Sequence, residues 1–161
     1  MLSITEKLTI PATPQATLTL PFELRQKSRL RVTLDDGREA GLVLERGTLL
    51  RGGDLLRADD GTVIAVQAAP ESVSTAFADD PVLLLRAAYH LGNRHIAVQV
   101  GDHWLRYLHD HVLDHMLEQL GLRVLPAQAA FEPEAGAYGS HSHGAHSHHD
   151  HVPKYRAHEH G

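Results

Sequence analysis

The sequence predicts an α+β protein in three parts. Residues 1–70 consist of short segments of alternating apolar and polar residues between turn signals, which predicts an all-β domain. Residues 71–135 interleave two segments of helical period with four segments of strand pattern. Residues 136–161 are polar and contain eight of the chain's 14 histidines, so we expect a disordered His-rich tail that buries no core.

The all-β prediction for the first domain depends on turn spacing. Residues 30–34 alternate with period two, Asp35-Asp36-Gly37 is a hairpin signal, and residues 40–44 form the returning strand. Further turn signals precede a strand at residues 62–67, which gives about six strands. No helical period is found in this half of the chain. Its charged residues are mostly turn aspartates and strand arginines, for which a structural role is the stronger interpretation.

The second domain begins with a strand at residues 71–78 and a helix. Asp80 is a suitable N-cap residue, and Pro81 is favoured in the first helical turn. Gly92 is placed where a helix ends in the left-handed conformation. The apolar stripe of this helix has helical spacing and consists of Leu84, Ala87, Ala88 and Leu91.

A hairpin and a closing strand are predicted next. Residues 95–100 and 103–108 are two strands, because the Gly101-Asp102 pair between them is a strong hairpin signal. Residues 123–128 form the closing strand, and Pro126 places it at a sheet edge or shortens it, since proline lacks the N–H that a ladder needs.

A second helix lies between the hairpin and the closing strand. Asp110 caps its start and Gly121 ends it after Leu120. Its apolar stripe consists of Val112, Leu113, Met116, Leu117 and Leu120. The order strand-helix-strand-strand-helix-strand is the ferredoxin-like arrangement, which we predict for residues 71–135.

Composition excludes several classes of function. A formal net charge of −5 with no Lys/Arg stripe argues against nucleic acid as the main partner. The longest apolar run, residues 82–85, is too short to span a bilayer, and the N-terminus lacks a signal-peptide pattern, so we expect a cytoplasmic protein. The His-Glu-x-x-His, P-loop and Gly-x-Ser-x-Gly motifs are missing from the sequence, so nothing in it indicates an enzyme.

The tail predicts metal binding. Imidazole suits nickel, zinc and copper, and the chain has no cysteine to supply a softer thiolate ligand. The His-x-His pairs of the tail, His141/His143, His149/His151 and His158/His160 among them, each place two imidazoles on the same side of an extended chain. A purification tag is the alternative, but the irregular spacing and the interleaved Ser, Asp and Glu favour metal capture. The candidate ligands in the tail are His141, His143, His146, His148, His149, His151, His158 and His160.

Four histidines outside the tail are further candidate ligands. His95 is predicted at a strand edge, where a structural role is the alternative; near the axis of a two-fold dimer it would meet its own copy and form a pair. His109 and His111 flank the junction between a strand and a helix. His111 and His115 lie i, i+4 on one helical face, away from the apolar stripe. His109 lies nearer that stripe, so a partly structural role is open for it.

Several stretches of the sequence resemble the urease accessory protein UreE family. Gly-Asn-Arg-His followed by His-Asp-His at this separation is quite specific, and the resemblance spans nearly the whole chain. Residues 35–44 and 50–55 are similar to the family's N-terminal domain. The stretches that resemble its C-terminal part are residues 89–95, 105–113, 131–139 and the His-rich end.

The resemblance implies a homodimeric nickel metallochaperone that delivers Ni²⁺ to apo-urease, with Zn²⁺ or Cu²⁺ as possible substitutes. It implies that His95 is the interfacial nickel ligand and that His109 and His111 form peripheral sites. His115 lies outside the matched motif, so its assignment as a metal ligand depends only on its position on the same helical face as His111.

The implied partners are the accessory GTPase UreG and the complex of the urease apoprotein with UreD/UreH and UreF, with the N-terminal domain suited to contacting partner proteins. The alternative function is a non-specific zinc, copper or nickel buffer without a dedicated client. A metal-dependent hydrolase is disfavoured, because no carboxylate or nucleophile constellation accompanies the histidines.

Overall fold

The structure is a computed structural model that describes residues 1–136. It contains two sheets and a few helices, which confirms the predicted α+β class. The first sheet comprises six strands, with one short helix, α1 (Phe22–Arg25), after the second of them. The strands are β1 (Leu2–Lys7), β2 (Ala16–Leu20), β3 (Arg29–Thr33), β4 (Glu39–Val43), β5 (Leu55–Ala58) and β6 (Val63–Ala68).

The second sheet comprises four strands and carries two helices. Its elements in chain order are β7 (Pro70–Phe77), α2 (Pro81–Asn93), β8 (Gln99–Val100), β9 (Trp104–Leu108), α3 (His111–Leu120) and β10 (Arg123–Ala130). Within residues 1–136, no helix combines the length and the apolar composition that crossing a membrane requires. The predicted disordered tail falls, apart from its first residue, outside the described residues.

The first sheet has the order β2-β6-β5-β1-β4-β3. The pairs β1–β4 and β2–β6 are parallel, and the other neighbours are antiparallel. Side chains alternate between the two faces of each strand, so one face collects the apolar residues. These residues form a single core whose most deeply buried members include Ile4, Leu18, Leu42, Leu56 and Ile64.

Two elements of this half are not predicted by the sequence. β1 lies inside the sheet, between β5 and β4. Only Ile4 of this strand is fully buried, and the strand continues into the charged residues Glu6 and Lys7. The alternation of apolar and polar residues is therefore too short to be recognised in the sequence. The helix α1 has four residues, which is barely one turn and leaves no helical period to detect. The prediction of a half without helix is therefore wrong at α1.

The second sheet has the order β10-β7-β9-β8, with every neighbouring pair antiparallel. Both α2 and α3 contribute to a core on one face of this sheet. Ala87 and Leu91 of α2 and Leu113 and Leu117 of α3 are buried there against Tyr107 of β9. β10 pairs only with β7 in this sheet, so the predicted edge position of the strand that contains Pro126 is confirmed.

The end of α2 differs from the prediction. Gly92 lies inside the helix, and the residue in the left-handed conformation is His95, with φ of +58°. The N–H of Ile96 donates to the carbonyl of Leu91 at 3.1 Å, which is the longer bond of a Schellman ending. The predicted helix end was Gly92, the first glycine of the segment. The helix instead continues to Asn93, and the left-handed residue that follows it is His95.

The hairpin prediction is also corrected. β8 contains only Gln99 and Val100, so the segment from His95 to Val98 is not a strand. Ile96 and Val98 are held instead by packing against the core of the second sheet. At the turn the N–H of Gly101 donates to the carbonyl of Trp104 at 3.0 Å, so the two turn residues are Asp102 and His103 rather than Gly101 and Asp102.

The helix α3 forms as predicted. Asp110 caps it by accepting hydrogen bonds from the N–H groups of Val112 at 2.9 Å and Leu113 at 3.2 Å. Gly121 ends it in the left-handed conformation with φ of +106°. One residue of the predicted apolar stripe is misplaced, since Val112 is 55% exposed. It belongs to the first turn, which extends past the edge of the core.

The segment that follows β10 joins the two sheets. Phe131 and Pro133 are buried, and Arg51 donates to the carbonyl of Pro133 at 2.6 Å. On the other side the N–H of Glu132 donates to the side chain of Gln99 at 3.0 Å, and the N–H of Glu134 donates to the carbonyl of Val98 at 2.8 Å. Residues 131–134 therefore lie between the first sheet and the start of β8.

Arg25, the last residue of α1, is the centre of this junction. Its side chain has no exposed surface and donates to the carbonyls of Leu20 at 3.1 Å and Leu50 at 3.0 Å. It also donates to the carbonyl of Phe131 and forms an ion pair with Glu132. A buried charge is tolerated only when paired and hydrogen-bonded, and these four acceptors meet that requirement.

We predict that Glu132→Ala destabilises the protein by about 3 kcal/mol, because it leaves the buried guanidinium of Arg25 without its counter-charge. That loss corresponds to a fall of about 6–12 °C in the thermal midpoint for a chain of this size. The matched control is Glu134→Ala, since Glu134 is exposed in the same segment. Equal midpoints for the two variants in a metal-free thermal melt would contradict the role assigned to the ion pair.

Candidate metal-binding site

His95 is exposed at the end of α2 in a backbone conformation that histidine rarely adopts. The left-handed region costs a residue with a Cβ roughly 1–2 kcal/mol, so the surrounding structure must hold it there. The bonds from His95 N–H to Gly92 and from Ile96 N–H to Leu91 provide that support. Strain of this kind is concentrated at functional sites, which makes His95 a candidate on structural grounds as well.

His95 and His109 border the same surface depression. Its remaining lining residues are Ile96, Ala97, Leu108, Asp110 and Leu113. The sequence analysis assigned the two histidines to different metal sites, one at a dimer axis and one peripheral. The structure brings both residues to one concave surface of a single chain.

The ring of His109 is oriented by its Nδ1 atom. This atom lies 3.0 Å from the hydroxyl oxygen of Ser74, which is fully buried in β7, and 3.3 Å from a carboxylate oxygen of Asp114 in α3. The backbone N–H of His109 donates to the carbonyl of Ser72 at 3.0 Å, so the main chain is fixed too. The side chain stays 43% exposed, which leaves the other ring nitrogen free for a ligand.

Asp114 is a site residue that the sequence analysis missed. Its second carboxylate oxygen accepts a hydrogen bond of 2.6 Å from the hydroxyl of Tyr107. Burial, followed by the bond to Asp114, raises the pKa of Tyr107 well above its usual range, so the phenol stays protonated and donates. A signal was present: Tyr107 follows Leu105 on the inward side of β9, and a buried tyrosine hydroxyl needs a polar partner.

The remaining fixed candidates occupy the exposed side of α3. His111 is its first residue and His115 follows one turn later, and both are exposed. Asp110 between His109 and His111 uses a carboxylate oxygen to cap the helix, so its main role is structural. The candidates His141, His143, His146, His148, His149, His151, His158 and His160 all lie outside the described residues.

No group of three or more His, Asp or Glu side chains in residues 1–136 is arranged to hold a metal ion. The structure therefore offers one or two imidazoles at each candidate position, with open coordination sites. Neutral imidazole nitrogens suit Ni²⁺, Zn²⁺ and Cu²⁺ alike. Such a surface can bind a divalent ion and exchange it, and complete coordination needs ligands from another copy of the chain, from the tail or from water.

Comparison with known proteins agrees with this organisation. The family model described as the UreE urease accessory protein N-terminal domain matches residues 3–69, and the one described as its C-terminal domain matches residues 71–160. The boundary between the two matches, at residue 70, coincides with the start of β7 and thus of the second sheet.

Individual relatives are similar over most of their length. A urease accessory protein UreE of Alkalilimnicola ehrlichii is 62% identical over 139 residues, which cover 86% of this chain and 85% of the relative. That of Citrobacter koseri is 56% identical over 94% of this chain and 100% of the relative. That of Pseudomonas putida strain GB-1 is 60% identical over 89% of both chains. The chain therefore belongs to the urease accessory protein UreE family.

Proposed function

We propose that this protein is a nickel metallochaperone, which delivers Ni²⁺ to apo-urease during active-site assembly. Membership of the family gives it a role in urease maturation. The observation that supports delivery of an ion is that His95 and His109 border one exposed depression, where residues 1–136 supply no complete set of ligands. A closed four-ligand cage would retain the ion, whereas exposed imidazoles with open positions release it.

A carrier rather than an enzyme is the function that these groups support. A metal-dependent hydrolase needs a general base and a bound water beside the ion. The carboxylate nearest to the candidate ligands, Asp114, already contacts Tyr107 and His109 through its two oxygens. Asp110 is occupied with capping α3. Both carboxylates thus contact groups of the protein itself, and residues 1–136 contain no group of three His, Asp or Glu side chains that could hold an ion beside a reacting water.

The site needs a second copy of the chain in this proposal. An exposed residue near a two-fold axis meets its own symmetry mate, so a dimer doubles the number of ligands without any further residue. His95 is the residue that we assign to this position, with His109 and His111 as ligands of peripheral sites and His115 as a further ligand on the exposed side of α3. The His-rich tail, residues 136–161, collects ions and supplies further imidazoles.

The partner proteins complete the proposal. Residues 1–70 act as a partner-contacting all-β domain, and residues 71–135 act as a ferredoxin-like metal-binding domain. The partners are the GTPase UreG and the complex of apo-urease with UreD/UreH and UreF, in the cytoplasm. For imidazole ligands the intrinsic affinity order places Cu²⁺ above Ni²⁺, so the choice of nickel comes from its supply and from these partners.

The same affinity order supports the alternative of a general zinc, copper or nickel buffer, and a cellular experiment separates the two. We predict that deleting the gene lowers urease activity most strongly when nickel is limiting, and that added nickel restores it. Urease activity in a strain that grows with limiting nickel is the measurement. Full activity in the deletion strain under these conditions would favour the buffer and count against delivery to urease.

We predict that removing residues 140–161 lowers the number of Ni²⁺ ions bound per dimer while the tightest site remains. The physical reason is that the removed stretch carries eight imidazoles and the described residues keep the fixed ones. Calorimetric titration of the full-length and shortened proteins at neutral pH measures both quantities. An unchanged number of ions after truncation would show that the tail is not a reservoir.

We predict that His95→Ala weakens the tightest Ni²⁺ site by at least about tenfold, or about 1.4 kcal/mol, while the metal-free thermal midpoint hardly moves. The small stability effect is expected because His95 is exposed and alanine suffers a similar left-handed strain. Nickel titration and a metal-free melt of the full-length protein give the two readouts.

The matched control for His95→Ala is His103→Ala. His103 is also exposed and also has a positive φ, of +60°, but it lies in the β8–β9 turn and does not border the depression. Both variants therefore change an exposed left-handed histidine, and only the first should change nickel affinity. A lower metal-free midpoint for His95→Ala, together with an intact tightest site, would assign His95 a structural role instead.

A further inference from the structure

We propose that Asp114 is a positioning residue, which orients the imidazole of His109 so that its Nε2 atom faces the metal ion. The inference rests on the proposed function, because it concerns how one of the proposed ligands is held. It adds a residue that has no metal contact of its own and that acts through His109.

The first step is the direction of the ring. The Nδ1 atom of His109 faces the protein, at 3.0 Å from Ser74 Oγ and 3.3 Å from Asp114 Oδ2. Nδ1 and Nε2 lie at different corners of the imidazole, so a ring whose Nδ1 is turned inward presents Nε2 elsewhere. With 43% of the side chain exposed and the depression in front of it, Nε2 is the nitrogen that an ion can reach.

The second step is the position of the proton. The Ser74 hydroxyl at 3.0 Å can either accept from Nδ1 or donate to it, whereas the carboxylate of Asp114 at 3.3 Å has no proton to donate, so the carboxylate favours the ring form in which Nδ1 carries the hydrogen and Ser74 accepts. In the neutral ring the other nitrogen, Nε2, then has a free lone pair. The partner of one ring nitrogen thereby sets which nitrogen coordinates a metal.

The third step is the fixation of Asp114 itself. Tyr107 donates a 2.6 Å hydrogen bond to its Oδ1, and the Tyr107 ring is completely buried in the core between β9 and α3. The N–H of Asp114 donates to the carbonyl of Asp110 at 2.9 Å within the first turn of α3. With its side chain only 15% exposed, the carboxylate is held by the sheet and the helix together.

A carboxylate behind a metal-binding histidine fixes the orientation of the ring, and its loss typically weakens metal binding about 10–100-fold. His109 has this support. For His111 and His115, the structure of residues 1–136 shows no comparable side-chain hydrogen bond. We therefore expect His109 to bind Ni²⁺ more tightly than either of these two exposed residues of α3.

The first test measures the metal-free protein. Full-length protein labelled with ¹⁵N at histidine reports in NMR which ring nitrogen of each imidazole carries the proton. We expect the neutral ring of His109 to carry its hydrogen on Nδ1 in the wild type and to lose this preference in Asp114→Asn. The control is Glu118→Gln, which removes the same charge one turn later on α3 from an exposed side chain.

The second test adds Ni²⁺ to the same samples and follows the His109 signals, which a bound paramagnetic ion broadens. Half-broadening of His109 should need about 10–100-fold more free Ni²⁺ in Asp114→Asn than in wild type. Glu118→Gln should follow the wild type. Tyr107→Phe keeps the buried ring and removes only the hydroxyl that holds Asp114, so it should shift the midpoint in the same direction by a smaller factor.

Three results would overturn the inference. An unchanged His109 proton position and nickel midpoint in both Asp114→Asn and Tyr107→Phe would show that Asp114 does not position the ring, while leaving the proposed nickel function intact. Equal effects of Asp114→Asn and Glu118→Gln would assign the change to charge alone. Wild-type protein whose histidines show no response to Ni²⁺ would instead contradict the proposed function, and the inference with it.

Discussion

The buried guanidinium of Arg25 is the interaction on which the arrangement of the two sheets depends. No part of the Arg25 side chain is exposed. Its guanidinium donates hydrogen bonds to carbonyls of the N-terminal half of the chain and, at the same time, to the segment after β10. Desolvating a charge is costly, so the pair with Glu132 and the carbonyl acceptors must all be in place when the protein is folded. A salt bridge at the surface would exert no such constraint.

The consequences of this junction extend to the candidate site. Glu132 and Glu134 donate through their backbone N–H groups to Gln99 and to Val98, which lie just after the loop that carries His95. The same segment precedes the His-rich tail in the sequence. The contacts of residues 131–134 therefore fix the start of β8 relative to the first sheet. His95 sits on a loop that is constrained at both ends, by the Schellman turn of α2 and by this contact.

The proposed site combines oriented groups with an exposed surface, as a site that binds an ion and then releases it requires. His95 is held by a strained backbone, and His109 is held by contacts of its Nδ1 atom with Ser74 and Asp114. The ring of His109 and the backbone of His95 are thus ordered without an ion, and such preorganisation lowers the entropic cost of binding. Residues 1–136 of one chain supply no group of three His, Asp or Glu side chains arranged to hold a metal ion, which is why the proposed site includes a second copy of the chain and the tail.

The sequence was informative where local chemistry decides the structure and uninformative where long-range contacts do. The Asp35-Asp36-Gly37 turn, with Gly37 at φ of +90°, and the caps Asp80 and Asp110 depend on residues next to one another, and all were predictable. The end of α2 was not predictable, because the residue in the left-handed position of its Schellman turn is His95 and not the expected glycine. Arg25 and Glu132 are 107 positions apart, and Asp114 meets Tyr107 and His109 only after α3 packs on the sheet. No periodicity in the sequence indicates either contact.

The central claim is that the tightest nickel site is shared by two chains, and native mass spectrometry at limiting Ni²⁺ tests it most directly. The account predicts that the first ion appears on the dimer alone, and that dimers with one ion accumulate before any second ion binds. Singly loaded monomers, or dimers that fill two equal and independent sites at the same nickel concentration, would contradict it.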